Sequence, residues 1–327
     1  MRPLDVQTVS TLVEEATAAP SMHNAQPWSF RFVAAEGLLL LFADLDRAMH
    51  RSDPGNRALH IGCGAALFNL RVAAAHAGLA PQVVLLPDPA DPLLLAAVQL
   101  TEPGAPAADD LRPLYPAIGQ RHTSRHPFDE KGIPDDVQAG LRAAAAREGA
   151  ELLFPGPWHI DTLLELVRDA ESRDILDPGG RADLDHWTRI GPEAETATDG
   201  VPEYAFGPRP SGGRAPLRDF AGRRAVAEHD SAPFEQNPHL ALLSTHTDTP
   251  ADWLLAGQAL ECVLLRATLA GLATALTSHA LESRELRLLA RDPVSGTGHV
   301  QMVLRLGYGP PGPATPRRPV RDVLDIA

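Results

Sequence analysis

The sequence predicts an α+β fold in which one strand-and-helix arrangement occurs twice within a single chain of 327 residues. Three observations carry this. Trp28, Phe30 and Phe32 alternate with Ser29 and Arg31, and Leu38 to Phe42 follows the Glu36-Gly37 turn, which reads as a two-stranded hairpin. An Ala- and Leu-rich helix containing Gly64 closes on Ala77-Gly78-Leu79, and a second one containing Gly257 closes on Ala270-Gly271-Leu272, at a constant offset of 193 residues (257 − 64). Within that window Gly64, Ala66, Leu67, Ala74, Ala77, Gly78 and Leu79 recur identically, and a strand-like run precedes each copy, 38–43 and 240–244.

The remaining elements follow in chain order. Val9, Leu12, Val13, Ala16 and Thr17 recur at near-helical spacing and Pro20 ends that helix. Ser21, Asn24 and Gln26 then fall in the loop before the hairpin. Their uncharged donors and acceptors suit the edge of a planar heteroaromatic ring better than a metal or a phosphate, although the same composition also serves a plain turn. Residues 101–110 are a linker by composition and divide the chain into 1–110 and 111–327. Ile133-Pro134-Asp135 opens a helix running to Arg147. Residues 174–237 are rich in Gly, Pro, Arg and acids, which predicts a lid with a short helix around 183–190. His299 to Tyr308 alternates as a strand and leads into Thr315-Pro316-Arg317-Arg318-Pro319.

Pro20-Ser21-Met22-His23-Asn24-Ala25-Gln26-Pro27-Trp28 resembles the flavin-contacting loop of the nitroreductase superfamily, whose members bind FMN between two intertwined subunits. The resemblance implies a nitroreductase-like fold, with central antiparallel or mixed sheets flanked by long helices, and FMN contacts from Pro20, Ser21, Met22, Asn24 and Gln26. Arg121-His122-Thr123-Ser124-Arg125 resembles the family's Arg-x-Ser/Thr-x-Arg segment, which implies that Arg121, Thr123 and Arg125 hold the FMN phosphate. The chemistry agrees, since forked guanidinium donors suit a dianion and alternate residues of an extended segment share a side. A basic tail returns to that phosphate in the family; Arg317 matches best, with Arg318 beside it.

The order of these motifs is reversed relative to a typical nitroreductase, and the internal repeat accounts for the reversal. The first half has the loop and no arginine segment, the second the arginine segment and no such loop. Together they leave one composite FMN site in a fused pseudo-dimer, as in the Acg-like branch of the superfamily, which the chain resembles over nearly its whole length. Asp46-Arg47, Gly62-Cys63-Gly64-Ala65-Ala66-Leu67 and Arg317-Arg318-Pro319-Val320 also fit that branch, where a lid from the same chain covers the flavin. Tyr204, Phe206 or Trp187 could lie over the ring or simply pack.

The resemblance implies an FMN-dependent oxidoreductase acting on nitro-aromatic, quinone or other organic acceptors, with NAD(P)H as donor. The flavin carries the electron chemistry, so no catalytic side chain is nominated. Two alternatives stay open: a closed-lid protein that sequesters FMN, and a substrate-specific oxidase or dehydrogenase. The formal charge of −13 argues against a nucleic-acid partner. No run approaches eighteen apolar residues and Met1 to Asp5 lacks a signal core, so no membrane partner and a cytoplasmic setting are expected. Cys63 and Cys262 fall at non-equivalent repeat positions and are expected to be buried thiols rather than a bridge. His122 and His126 lack an accompanying carboxylate or Cys cluster, so no metal is expected. His23 reads as substrate-facing or as a loop histidine with backbone partners. Gly62-Cys63-Gly64 lacks the third glycine of a dinucleotide fingerprint, and no Gly-x-Ser-x-Gly elbow occurs. Because fusion supplies internally the interface that homodimers need, a monomer is expected, with pairing of fused chains left open.

Overall fold

In the computed structural model, residues 4–102, 110–176, 178–221, 230–296 and 298–327 are described. Helix α1 (Val6–Thr17) starts on Asp5, whose side chain accepts from the Thr8 N–H, and buries Val9, Leu12, Val13 and Ala16. Strands β1 (Trp28–Val33) and β2 (Leu38–Ala43) form the expected hairpin, with Trp28 opposite Ala43. Helix α2 (Arg57–His76) is followed by β3 (Ala80–Leu85) and β4 (Leu94–Thr101). Most of the linker, 103–109, lies outside the described residues.

The chain continues through α3 (Tyr115–Ile118), α4 (Asp135–Arg147), β5 (Glu151–Leu153), α5 (Pro157–Leu176) and α6 (Pro178–His186). The short helix expected at 183–190 therefore ends earlier, at His186. Proline is tolerated at a first helical position, so Pro178 opens the helix rather than blocking it, and the chain beyond Trp187 pairs as a strand. That strand, β6 (Thr188–Arg189), lies parallel to β7 (Val201–Pro202), with α7 (Glu193–Thr196) between them. A second small ribbon pairs β8 (Arg209–Gly212) with β9 (Ser231–Pro233). The expected lid is thus a set of short elements; 222–229 lie outside the described residues. Strand β10 (His239–Thr245), helix α8 (Pro250–Leu269), strand β11 (Ala273–Thr277), helices α9 (His279–Glu282) and α10 (Arg284–Leu289), and strands β12 (His299–Gly307) and β13 (Leu324–Ile326) complete the order.

Two larger sheets result, one in the order β13-β1-β2-β4-β3 and one in the order β11-β12-β10-β5. The last strand, in the segment assigned by sequence to 111–327, joins the first sheet parallel to β1, with the Phe30 N–H on the Val323 carbonyl at 2.6 Å. The crossing segment between β12 and β13 carries Arg317 and Arg318 back over the first sheet.

Helices α2 and α8 pack against each other between the sheets. Both are apolar nearly all round, as fully interior helices are. Leu59, Cys63, Leu67 and Leu70 of α2 join α1 and the first sheet, while Ile61, Phe68 and Val72 join α4, α8 and the second sheet. By length and composition α2 could cross a membrane, but it is packed inside the protein. Both helices end alike: the Leu79 N–H returns to Ala74 O at 2.9 Å and the Leu272 N–H to Ala267 O at 2.9 Å. Gly78 and Gly271 supply the left-handed φ values, 78° and 75°, that this ending needs. Cys63 and Cys262 are free, buried thiols.

The crossing is held at backbone distance. A Cβ on Gly64 would lie 2.2 Å from the Leu254 carbonyl, and one on Gly257 would lie 2.1 Å from the Ile61 carbonyl. Gly64→Ala or Gly257→Ala is therefore expected to destabilise by about 2 kcal/mol or more, because backbone on the facing helix has to move. On α4, an added Cβ at Gly140 meets nothing within 4 Å, and Gly140→Ala is expected to stabilise by about 0.5–1 kcal/mol. Urea unfolding of the three variants checks the contrast, and a wild-type midpoint for Gly64→Ala would refute the close crossing.

Candidate functional site

One cavity opens where α1 ends, and its walls come from the loop 20–24, the start of α2, the segment 121–125, β11 and its sequel, the lid and the C-terminal tail. Its floor is set by α2: a Cβ on Gly62 would stand 3.2 Å from Ser21 Cβ, so the helix passes directly under the loop.

The loop is strained and pinned. His23, Asn24 and Gln26 have φ of 49°, 57° and 54°, a region costly for residues with a side chain. The Ser21 hydroxyl accepts from the Gln26 N–H at 2.9 Å. The Asn24 amide donates to the Gly200 carbonyl at 2.9 Å and to the Pro316 carbonyl at 3.0 Å. The Gln26 amide donates to Thr198 O at 2.9 Å and its oxygen accepts from the Arg318 N–H at 2.8 Å. Lid and tail thus hold the loop in its conformation.

The last carbonyls of α1, which no helical N–H reaches, accept from two guanidinium groups instead. Arg317 donates to Thr17 O at 2.7 Å, Ala18 O at 2.9 Å and Asn24 Oδ1 at 3.0 Å. Arg121 donates to the same Ala18 O at 3.0 Å. Behind Arg121 lies Glu261 of α8, fully buried, its carboxylate 3.4 Å from Arg121 Nε. That contact lacks hydrogen-bond geometry and leaves Arg121 Nε and both Glu261 oxygens without a hydrogen-bond partner. Burial pushes the Glu261 carboxyl up to about 7, against the pull of Arg121. Burial, then repulsion from Arg121, brings Arg317 down to about 9.

The segment 121–125 is fixed by its alternate residues. The Ser124 N–H donates to Thr274 O at 2.8 Å and its hydroxyl to Pro310 O at 2.7 Å. Arg121, Thr123 and Arg125 face the cavity. Arg125 stands apart from the Arg121–Arg317 pair, with its guanidinium 4.7 Å from the Phe220 ring centre and donating to Ala205 O at 2.8 Å. Burial alone lowers it to about 10.

Of the residues marked by sequence, Pro20, Ser21, Met22, Asn24, Arg121, Thr123, Arg125 and Arg317 line this cavity. Gln26 and Arg318 do not. Gln26 is fully buried between lid and tail, and Arg318 turns to Gln26 O, Trp28 O and Asp44, so both fix the loop rather than face the cavity. None of the three lid aromatics named from sequence lines it. Tyr204 is exposed with its hydroxyl on Ala314 O, Trp187 packs with Ala25 and Met49, and Phe206 lies behind Phe220. Phe220 is the lid aromatic in the wall. His23 is buried with its ring nitrogen 3.2 Å from Arg218 Nη1, so its partner is a side chain. Arg57, Arg218, Ser278 and His279 also line the cavity, and no local pattern marks them.

No family model matches the chain. Two Mycobacterium tuberculosis H37Rv proteins that bear the name "Putative NAD(P)H nitroreductase" align over almost all of it. One, acg, is 32% identical and covers 97% of this chain and 95% of its own. The chain belongs to the Acg nitroreductase family. The other relative, Rv3131, is 34% identical over 98% of this chain and 92% of its own. A structure from Anabaena variabilis described as a "putative nitroreductase" aligns with this family member over 93% of the chain and 88% of that chain, at 13% identity and a TM-score of 0.49.

The raised Glu261 value sets a sign. Between about pH 4.5 and 7 the folded protein holds a proton on Glu261 that the unfolded chain releases, so this group's contribution to stability falls as pH rises through that window. Glu261→Gln is expected to remove that fall. Urea midpoints of wild type and variant at pH 5 and pH 7.5 check it, and an identical pH response in both would refute the assignment.

Proposed function

We propose that the cavity holds FMN and that the protein is an FMN-dependent oxidoreductase passing electrons from NAD(P)H to nitro-aromatic, quinone or other organic acceptors. The observation that carries this reading is the buried Arg121–Arg317 pair, two guanidinium groups that line the cavity and converge on the Ala18 carbonyl. A phosphate dianion fits that donor set, since two forked cations in a shielded site favour an anion with several acceptor oxygens. Thr123 and Arg125 would complete the phosphate and ribityl side. The loop from Pro20 to Asn24 would meet the ring, with its backbone held by lid and tail.

When bound, FMN supplies the hydride acceptor and the path for electrons. The chain's own part is to bind, orient and exclude water. The loop belongs to residues 1–110 and the arginine segment to 111–327, which supports one composite site in a fused, internally duplicated chain. Such a chain works as a monomer on small-molecule substrates, and its charge of −13 disfavours nucleic acid.

The closure of the lid favours a second reading, a protein that keeps FMN out of reach of nicotinamide. Arg218 reaches from the lid to His279, at 2.8 Å, and to Glu282, at 2.5 Å, across the cavity wall. Anaerobic addition of NADH, then NADPH, separates the two readings. Rapid loss of the oxidised flavin absorbance is expected for the reductase, whereas bleaching by dithionite alone would replace it with sequestration.

The phosphate assignment makes its own prediction. Arg121→Ala with Arg317→Ala is expected to weaken FMN binding by roughly 100-fold or more, at about 1.5–3 kcal/mol for each charge-assisted bond lost. Arg318→Ala is expected to retain FMN. Flavin stoichiometry after gel filtration, with far-ultraviolet circular dichroism to confirm folding, checks both; full retention in the double variant would exclude the assignment.

A further inference from the structure

Two buried carboxyls face a buried guanidinium in this protein, and they are held differently. Glu235 is a settled ion pair: it accepts from Arg305 Nε, from Arg305 Nη2 at 2.7 Å and from the Phe128 N–H at 3.0 Å. Glu261 lies 3.4 Å from Arg121 Nε, and neither of its oxygens accepts a hydrogen bond. Asn69 of α2 also acts on this carboxyl, yet neither polar atom of the Asn69 side chain makes a hydrogen bond. An ionised carboxylate out of water and without donors is costly, so the setting favours the neutral acid, which persists up to about pH 7.

The groups around Glu261 leave a window in which it alone changes state. The charges acting on it are Arg121 and Arg317, both in the cavity wall, and the group that α2 turns to it, Asn69, is neutral. Next to the pair, burial and then the two arginines lower His122 from the ordinary histidine value. Arg317 keeps its proton up to about 9, and Tyr204, which also acts on Arg317, is raised by burial above the usual tyrosine value. Between pH 6.5 and 8, therefore, His122 is mostly neutral and both guanidinium groups are charged. With Glu261 protonated, Arg121, Arg317 and Glu261 together carry two positive charges; with it ionised they carry one.

We propose that Glu261 is a proton-coupled positioning residue behind Arg121, neutral when an anion occupies the Arg121–Arg317 pair and ionised, in the anion's place, when the pair is empty. Glu261 touches no ligand; it acts through the Arg121 guanidinium, on which the anion and the carboxylate both draw. Binding a dianion near neutral pH then takes up one proton from solvent onto Glu261, and release returns it. By linkage, anion affinity falls as pH rises through about 7. The proposal rests on the FMN reading only in treating the arginine pair as an anion site.

The first probe is sulfate, whose charge is constant across the window, dialysed against the full chain freed of flavin. Wild-type affinity is expected to fall by about fourfold or more between pH 6.5 and 8, and Glu261→Gln is expected to bind equally at both. A flat wild-type profile, the same slope in both proteins, or no sulfate binding overturns the proposal. Should the variant fail to fold, an infrared difference spectrum of wild type at pH 7.5 decides. Added sulfate is expected to increase the carbonyl absorption of a protonated carboxyl, and no increase overturns the assignment. FMN titrated in the same way is expected to show the same difference between wild type and variant, a comparison in which the titration of its own phosphate cancels. FMN that fails to bind where sulfate shows the slope would overturn the proposed function and leave the role of Glu261 standing.

Discussion

The contact on which the rest of the structure depends is the crossing of α2 and α8 at Gly64 and Gly257. Each glycine meets the facing helix at a backbone carbonyl, so neither position has room for even one methyl group. At that separation the two helices share their neighbours: Leu254 of α8 reaches the core of the first sheet, while Ile61 and Phe68 of α2 reach the core of the second. The same closeness slides Gly62 beneath Ser21 and sets Glu261 behind Arg121. A wider crossing would leave a gap between the sheets and lift the loop off its floor. Two glycines therefore govern both the packing and the cavity.

Collecting guanidinium groups around a cavity carries a desolvation cost that the fold offsets mainly with carbonyl oxygens. Arg317 is held by Thr17, Ala18, Ala19 and Pro316 carbonyls, and Arg57 by the Gln301 carbonyl at 2.6 Å. A carbonyl positions a guanidinium without cancelling its full charge, so these cations remain available to an anion. Where a cation serves only the fold, the arrangement differs. Arg305 is fully buried, pairs with the Glu235 carboxylate and lies 3.7 Å from the Phe128 ring centre. It also donates to His126 O at 2.9 Å, tying β12 and the base of the lid to the segment that presents Arg125.

What the sequence made legible was whatever apolar period or a glycine offset encodes. The hairpin, α1, α4 and β12 follow from local alternation or helical spacing, and the equivalence of Gly64 with Gly257 places together two residues that meet in space. Local pattern could not supply direction. Gln26 and Arg318 sit among cavity residues in the chain, yet they bond to each other's segments because three left-handed residues turn the loop. Nor could it supply long-range pairing: β13 finds β1 across nearly the whole chain. Arg218 and His279, 61 residues apart, are brought together only by the packing of the segment around Arg218 on the sequel to β11. The short helix expected around 183–190 ends instead at His186, because the chain beyond Trp187 pairs with β7, a contact that local pattern does not encode.

The lid and the loop are mechanically one unit. Among the described residues the lid's own apolar cluster is small, Val201, Ala205, Phe206, Phe220 and Ala221 with Leu184 and Ile190 beside it. Polar links attach it to the rest of the protein, among them Asn24 on Gly200, Gln26 on Thr198, Arg47 on Asp199 and Arg218 on Glu282. Segments held this way open at a lower free energy than the core. Two of those links, however, are the ones that keep His23, Asn24 and Gln26 at positive φ, so lifting residues 198–200 also frees the strained loop to relax. A ligand that binds the strained loop better than the relaxed one must then favour the closed lid, and by linkage the closed lid must favour that ligand to the same degree. Affinity for a ligand at this loop and access to the cavity are in this fold coupled through the carbonyls of Thr198 and Gly200.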